Sequence, residues 1–149
     1  MIRRTLFLAL FLPFLCLAQN ENYDPAMAEE LGADEYGMKY YTFVLLTTGE
    51  NKDTDPEAKQ ISFEGHMENI KVLAERGDLI VSGPFGENKK SFRGIFILNT
   101  ADIEEAKEWL SNDTAIENGY LKAHYIPWYG SAALPNYLPD ADKVWQKKP

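Results

Sequence analysis

The order of elements along this chain predicts an α+β fold of the ferredoxin-like type, βαββαβ, with four antiparallel strands in one sheet and two helices on one of its faces. Two observations carry that expectation. Between residues 38 and 128 the apolar residues switch between strand and helix periodicity in the order strand, helix, strand, strand, helix, strand. Clusters of glycine, proline and polar residues at 49–53, 77, 83–84, 86–90 and 111–113 punctuate the segments.

Residues 1–18 read as a signal peptide rather than as part of the fold. Arg3 and Arg4 precede an apolar run from Leu6 to Leu17, and Ala18 supplies the small residue at the cleavage point. The run is shorter than the roughly 20 residues that cross a bilayer, so no stable membrane span is expected. Leu15 is too large for lipoprotein processing at Cys16, and export to the periplasm or the extracellular space follows. Residues 19–37 form an acidic linker, a tether or loosely docked arm.

The first strand, from Met38, carries Tyr40, Tyr41, Phe43, Val44, Leu45 and Leu46. After the polar turn at 49–53, Pro56 opens a helix that ends near Arg76, with Gly77 as its terminator. Phe63, Met67, Ile70 and Ala74 mark its expected buried stripe, and His66 stands on the shoulder beside Leu73. Residues 79–82 make a short strand closed by Gly83-Pro84, and 92–98 make the third. Asn99 or Thr100 caps the second helix, whose acidic first turn (Asp102, Glu104, Glu105) suits the positive end of its dipole. Ile103, Ala106 and Leu110 form its buried face. Ser111-Asn112-Asp113 breaks it, a short turn follows to Asn118, and residues 121–128 are the last strand. The extension at 129–149, with three prolines, is expected along a surface.

Both faces of the sheet are apolar: Tyr41, Phe43 and Leu45 oppose Tyr40, Val44 and Leu46, and Ile95 and Ile97 oppose Phe96 and Leu98. One helical layer covers one face. The other calls for a second copy, giving a sheet-on-sheet homodimer, or for the C-terminal extension. Loss of Arg3 and Arg4 leaves 13 basic against 23 acidic residues, a net −10, which argues against nucleic acid and anionic membranes as partners. Loss of Cys16 leaves no thiol, and with two histidines a dedicated metal site is not expected. No glycine pattern builds a phosphate loop. His124 reads as a partly exposed strand histidine.

The stretch Gly65-His66-Met67-Glu68-Asn69-Ile70-Lys71-Val72-Leu73-Ala74-Glu75-Arg76-Gly77-Asp78-Leu79-Ile80-Val81-Ser82-Gly83-Pro84-Phe85 resembles the YciI-like (YCII-related) family. The shared features are a helix histidine, a Gly-x-Leu helix end and a strand closing in Gly-Pro. Ala106-Lys107-Glu108-Trp109-Leu110-Ser111-Asn112-Asp113, followed by Gly119-Tyr120 and the last strand, is a second match. The resemblance covers about residues 39–128, most of the mature chain. It implies a dimeric ferredoxin-like α+β barrel, and so a homodimer through the open sheet face. It also implies a cofactor-independent His–Asp pair, His66 and Asp113, and a strand-end ligand contact at Ser82, Gly83 and Pro84. Thr114-Ala115 stands where the family has proline and an aromatic, which alters the shape beside Asp113.

A carboxylate that accepts from one imidazole nitrogen fixes the tautomer and leaves the other nitrogen to take or give a proton. The reaction class expected is isomerase, lyase or hydrolase, on a small cyclic or aromatic compound in an apolar pocket between the first helix and the sheet. The plainer reading makes His66 a core histidine and Asp113 the cap of the turn after it, in a noncatalytic exported module that binds a ligand or protein. Side chains within hydrogen-bond reach and lining one cavity would support catalysis; groups far apart, or a filled cavity, would support the module.

Overall fold

The computed structural model describes residues 20–144 and Gln146; the expected signal peptide with Cys16 lies outside the described residues. The chain runs through α1 (Pro25–Glu30), β1 (Met38–Thr48), α2 (Pro56–Arg76), β2 (Leu79–Pro84), β3 (Phe92–Leu98), α3 (Ile103–Trp109), α4 (Thr114–Glu117) and β4 (Leu121–Ser131). It closes with a 3-10 turn (Leu134–Tyr137), α5 (Leu138–Ala141) and a second 3-10 turn (Asp142–Val144). The four strands form one antiparallel sheet in the order β2-β3-β1-β4, the ferredoxin-like arrangement. Among the described residues no helix is long and apolar enough to cross a membrane.

The ends of α2 follow from its sequence. Pro56 occupies the first turn, where a missing N–H costs nothing, and the Asp55 side chain accepts from the Glu57 amide at 3.0 Å. Gly77 adopts φ 77°, and its amide and that of Asp78 return to Ala74 and Leu73. The buried face, however, is not the expected stripe. Ser62, His66 and Leu73 are buried, Phe63 and Ile70 pack partly, and Met67 is 44% exposed. The helix is turned so that two polar residues face inward. That is stable because each has a partner: Ser62 bonds Ala58 and Asn118, and His66 bonds Asp113.

The main core lies between the helices and the sheet. It joins Val44, Leu46, Phe96, Leu98 and Leu121 of the strands to Leu73, Ala106, Leu110 and Ala115 of the helical layer. A second cluster on the opposite sheet face gathers Tyr41, Ile80 and Ile97, with Phe43, Val81 and Leu134 against them. Leu134 belongs to the C-terminal extension, and the Tyr137 hydroxyl donates to the Ile80 carbonyl. The extension therefore covers one corner of the second face. Ile126 and Trp128 on β4 remain 46% and 37% exposed.

β4 continues three residues past its expected end because 129–131 pair with Tyr40, Lys39 and Met38. The arm before β1 is pinned there too. The Asp34 carboxylate accepts from the Tyr129 hydroxyl and from the Met38 and Tyr36 amides, bonds that hold it below its ordinary pKa. The Ala132 amide donates to the Gly37 carbonyl at 2.9 Å.

At the other end of the sheet the β1–α2 and α4–β4 connections cross closely. A Cβ on Gly49 would lie 1.9 Å from the Gly119 carbonyl oxygen, a backbone atom that cannot swing away. Gly49→Ala is expected to destabilise the fold by about 3 kcal/mol through overpacking. Urea unfolding measures it, and an unchanged midpoint would mean that the crossing is looser than described.

Candidate functional site

His66 sits in the middle of α2 and reaches down to the sheet. Its ring stands edge-on to Phe63 of the same helix, with centroids 5.9 Å apart, and lies tilted over Phe96 of β3 at 5.8 Å. Phe96 pairs across the sheet with Val44 on one side and Ser82 on the other, and Val44 pairs in turn with Tyr125. A single row, Ser82, Phe96, Val44 and Tyr125, thus runs beneath the helices on one face.

Asp113 stands between α3 and α4 and is fully buried. Its Oδ2 accepts from His66 Nδ1 at 2.6 Å, the length of a charge-assisted bond. Its Oδ1 accepts from the Ala115 and Ile116 amides at 3.1 and 3.2 Å and so caps α4. Asp113 thus both contacts His66 and caps α4, one oxygen serving each. An ionised carboxylate only accepts, and with Asp113 in that form the shared hydrogen resides on Nδ1. In the neutral ring that leaves Nε2 with its lone pair, and Nε2 makes no hydrogen bond among the described residues. The His66 side chain keeps 11% of its surface exposed.

The charge on Asp113 is felt on β4. Burial, first, and the Asp113 carboxylate, second, push the Tyr125 phenol above its ordinary pKa. Tyr125, Ile116, Leu121 and Ala123 line an open cavity of about 390 Å³ beside α4, whose rim carries the Glu50–Lys122 ion pair. A second cavity of about 390 Å³ lies between α2 and α3, around Asn69, Arg76, Glu105 and Trp109. Neither is lined by His66 or Asp113. The pocket expected between the first helix and the sheet is filled at the pair by the Phe63 and Phe96 rings.

Of the residues singled out in the sequence, the fold brings His66 and Asp113 into contact. Ser82, Gly83 and Pro84 form the outer end of edge strand β2 and hydrogen-bond neither. Strand alternation divides them: Ser82 and Pro84 share the face of Phe96, whereas Gly83 turns to the other side, with open space where a Cβ would be. His124 lies on the opposite sheet face, exposed, with its Nε2 3.0 Å from Thr47 Oγ1. Among the described residues no group of three or more His, Cys, Asp or Glu side chains is placed to hold a metal ion.

Phe96 and Tyr125 were not singled out as site residues. Strand parity was the available signal for Phe96, since it falls on the face opposite Ile95 and Ile97. Tyr125 had no signal before the register was known.

A ferredoxin-like α+β sheet with a buried histidine–aspartate pair beneath its helical layer defines the class. Residues 38–128 match the YCII-related domain, more than half of the chain, and the protein belongs to that family. No protein of curated function matches it.

The division of labour at Asp113 can be measured. Asp113→Ala removes the cap, worth about 1 kcal/mol, and a buried bond of about 2 kcal/mol, for a total near ~3 kcal/mol in urea unfolding. Asp113→Asn keeps an oxygen for the cap but not the carboxylate that accepts from His66, and is expected to lose about two-thirds as much. Equal losses in the two variants would show that the cap contributes nothing.

Proposed function

We propose that this protein is a cofactor-independent enzyme in which His66 is the general base and Asp113 its orienting partner, acting on a small cyclic or aromatic compound. The observation that carries the reading is the 2.6 Å contact from Nδ1 to a fully buried carboxylate, with Nε2 left unbonded. Nε2 would remove a proton from a substrate C–H bond, and Asp113 would hold the resulting imidazolium through its Nδ1–H. Return of the proton to a different substrate atom completes an isomerisation. Departure of a leaving group with its electron pair, while the proton stays on Nε2, completes an elimination. Activation of water by the same nitrogen gives the hydrolytic variant. The Phe63 and Phe96 rings pack against the His66 ring, and a ring-shaped substrate would have to displace Phe63 to reach Nε2. Ser82 and Pro84, on the same sheet face as Phe96, would bound it on the β2 side.

The proposal includes export, supported by the charged and apolar segments of residues 1–18. It also includes a homodimer in which the second copy covers the sheet face that the extension leaves open, around Phe43, Leu45, Ile95 and Ile126. The alternative, a noncatalytic ligand-binding or protein-interaction module, draws on two observations. His66 is only 8% exposed, and neither cavity reaches the pair.

Turnover decides between them. With a panel of small aromatic acids and lactones, His66→Ala and Asp113→Asn are each expected to lower kcat by on the order of 10²–10⁴ while circular dichroism stays native. Rates unchanged in both variants, for any compound that is turned over, would refute the acid–base role of the pair, whereas binding without turnover across the panel would favour the module. Sedimentation tests the dimer: wild type is expected at twice the chain mass and Leu45→Glu at the chain mass, and a monomeric wild type would refute it.

A further inference from the structure

Gly65 precedes His66 and Thr114 follows Asp113, and these flanking residues touch each other. A Cβ on Gly65 would lie 2.2 Å from Thr114 Oγ1, 3.1 Å from its Cγ2 and 3.2 Å from its Cβ. Glycine is unfavourable in a helix interior relative to alanine, so its presence there calls for a steric reason, and Thr114 supplies one. The threonine hydroxyl donates to the Ser62 carbonyl at 2.7 Å. In an α-helix that carbonyl also accepts from the amide four residues on, which here is the amide of His66. Thr114 takes its second lone pair. One turn further along, Asn118 Nδ2 donates to Ser62 Oγ at 2.9 Å, so α4 grips the turn of α2 that leads into His66.

We infer that Thr114, seated in the notch left by Gly65, is the positioning residue that sets the His66–Asp113 distance and, through it, the tautomer of His66. Its importance for turnover rests on the acid–base reading of the pair; its geometry does not. The clamp is one residue from the pair on each segment, so a change in helix separation there passes directly into the Nδ1–Oδ2 bond. A displacement of about 1 Å would stretch that bond from 2.6 Å to roughly 3.6 Å, beyond hydrogen-bonding range.

The test is the imidazole spectrum of ¹⁵N-labelled His66 in the full chain, with circular dichroism and Tm recorded beside it. Wild type is expected to show the ring nitrogen shifts of a single tautomer protonated at Nδ1, with a slowly exchanging downfield proton. Thr114→Val, which keeps the shape and deletes the donor, and Gly65→Ala are each expected to lose that proton signal and move the shifts toward a mixed tautomer. Thr114→Ser is expected to restore both. In a Thr114→Ala background, which removes the two nearest atoms, Gly65→Ala is expected to change nothing further. Folded Thr114→Val and Gly65→Ala chains with the wild-type His66 spectrum would overturn the inference. If Gly65→Ala does not fold, the double variant decides: recovery of the fold supports the notch, and no recovery refutes it. A His66→Ala variant that leaves turnover intact would remove the acid–base reading but leave this spectral comparison standing.

Discussion

The carboxylate of Asp113 is the point on which the helical layer and the candidate chemistry both depend. A four-residue helix such as α4 is too short to be stable alone, and its second and third amides need an acceptor. A histidine buried in α2 needs a partner for at least one ring nitrogen. One buried side chain meets both needs because its oxygens face different segments. Structure and chemistry are thereby coupled, and a substitution that frees the histidine also loosens the turn between α3 and β4.

The architecture was legible because it rests on local signals. Gly77 does end α2, Pro56 does open it, and the alternation on β1 and β3 does divide their residues between two faces. The inward side of α2 was not legible. Hydrophobic periodicity places Phe63, Met67, Ile70 and Ala74 inside, whereas the helix buries Ser62 and His66, whose partners at the two ends of α4 lie about fifty positions along the chain. A polar residue counts as outward in any periodicity reading until its partner is known. The expected caps differed for a similar reason: Asp102 rather than Asn99 or Thr100 caps α3, and the Thr100 hydroxyl supports it by accepting from the Asp102 amide.

The site was partly legible. The pair came from the family resemblance, not from spacing, and the departure at Thr114 was visible as a difference without a meaning. In the fold that residue has a defined neighbour, since the missing side chain at Gly65 leaves room for it. The outer face of the sheet shows the same division. Its apolar character was plain in the sequence, but the extension's hold on one corner of it depends on the Tyr137 hydroxyl reaching the Ile80 carbonyl, a contact across the fold that no local pattern records.

The pairing of Met38 with Ser131 places the entry to β1 and the exit from β4 side by side at one end of the sheet. A pull applied to the two flanking segments would therefore open the β1–β4 ladder like a zipper, meeting its hydrogen bonds one after another rather than all together. The first to bear that load are the Asp34–Tyr129 bond and the Ala132–Gly37 bond. They act as a latch, and a chain held by its N-terminal arm would transmit tension to that latch before any of it reached the rows of the sheet beneath His66.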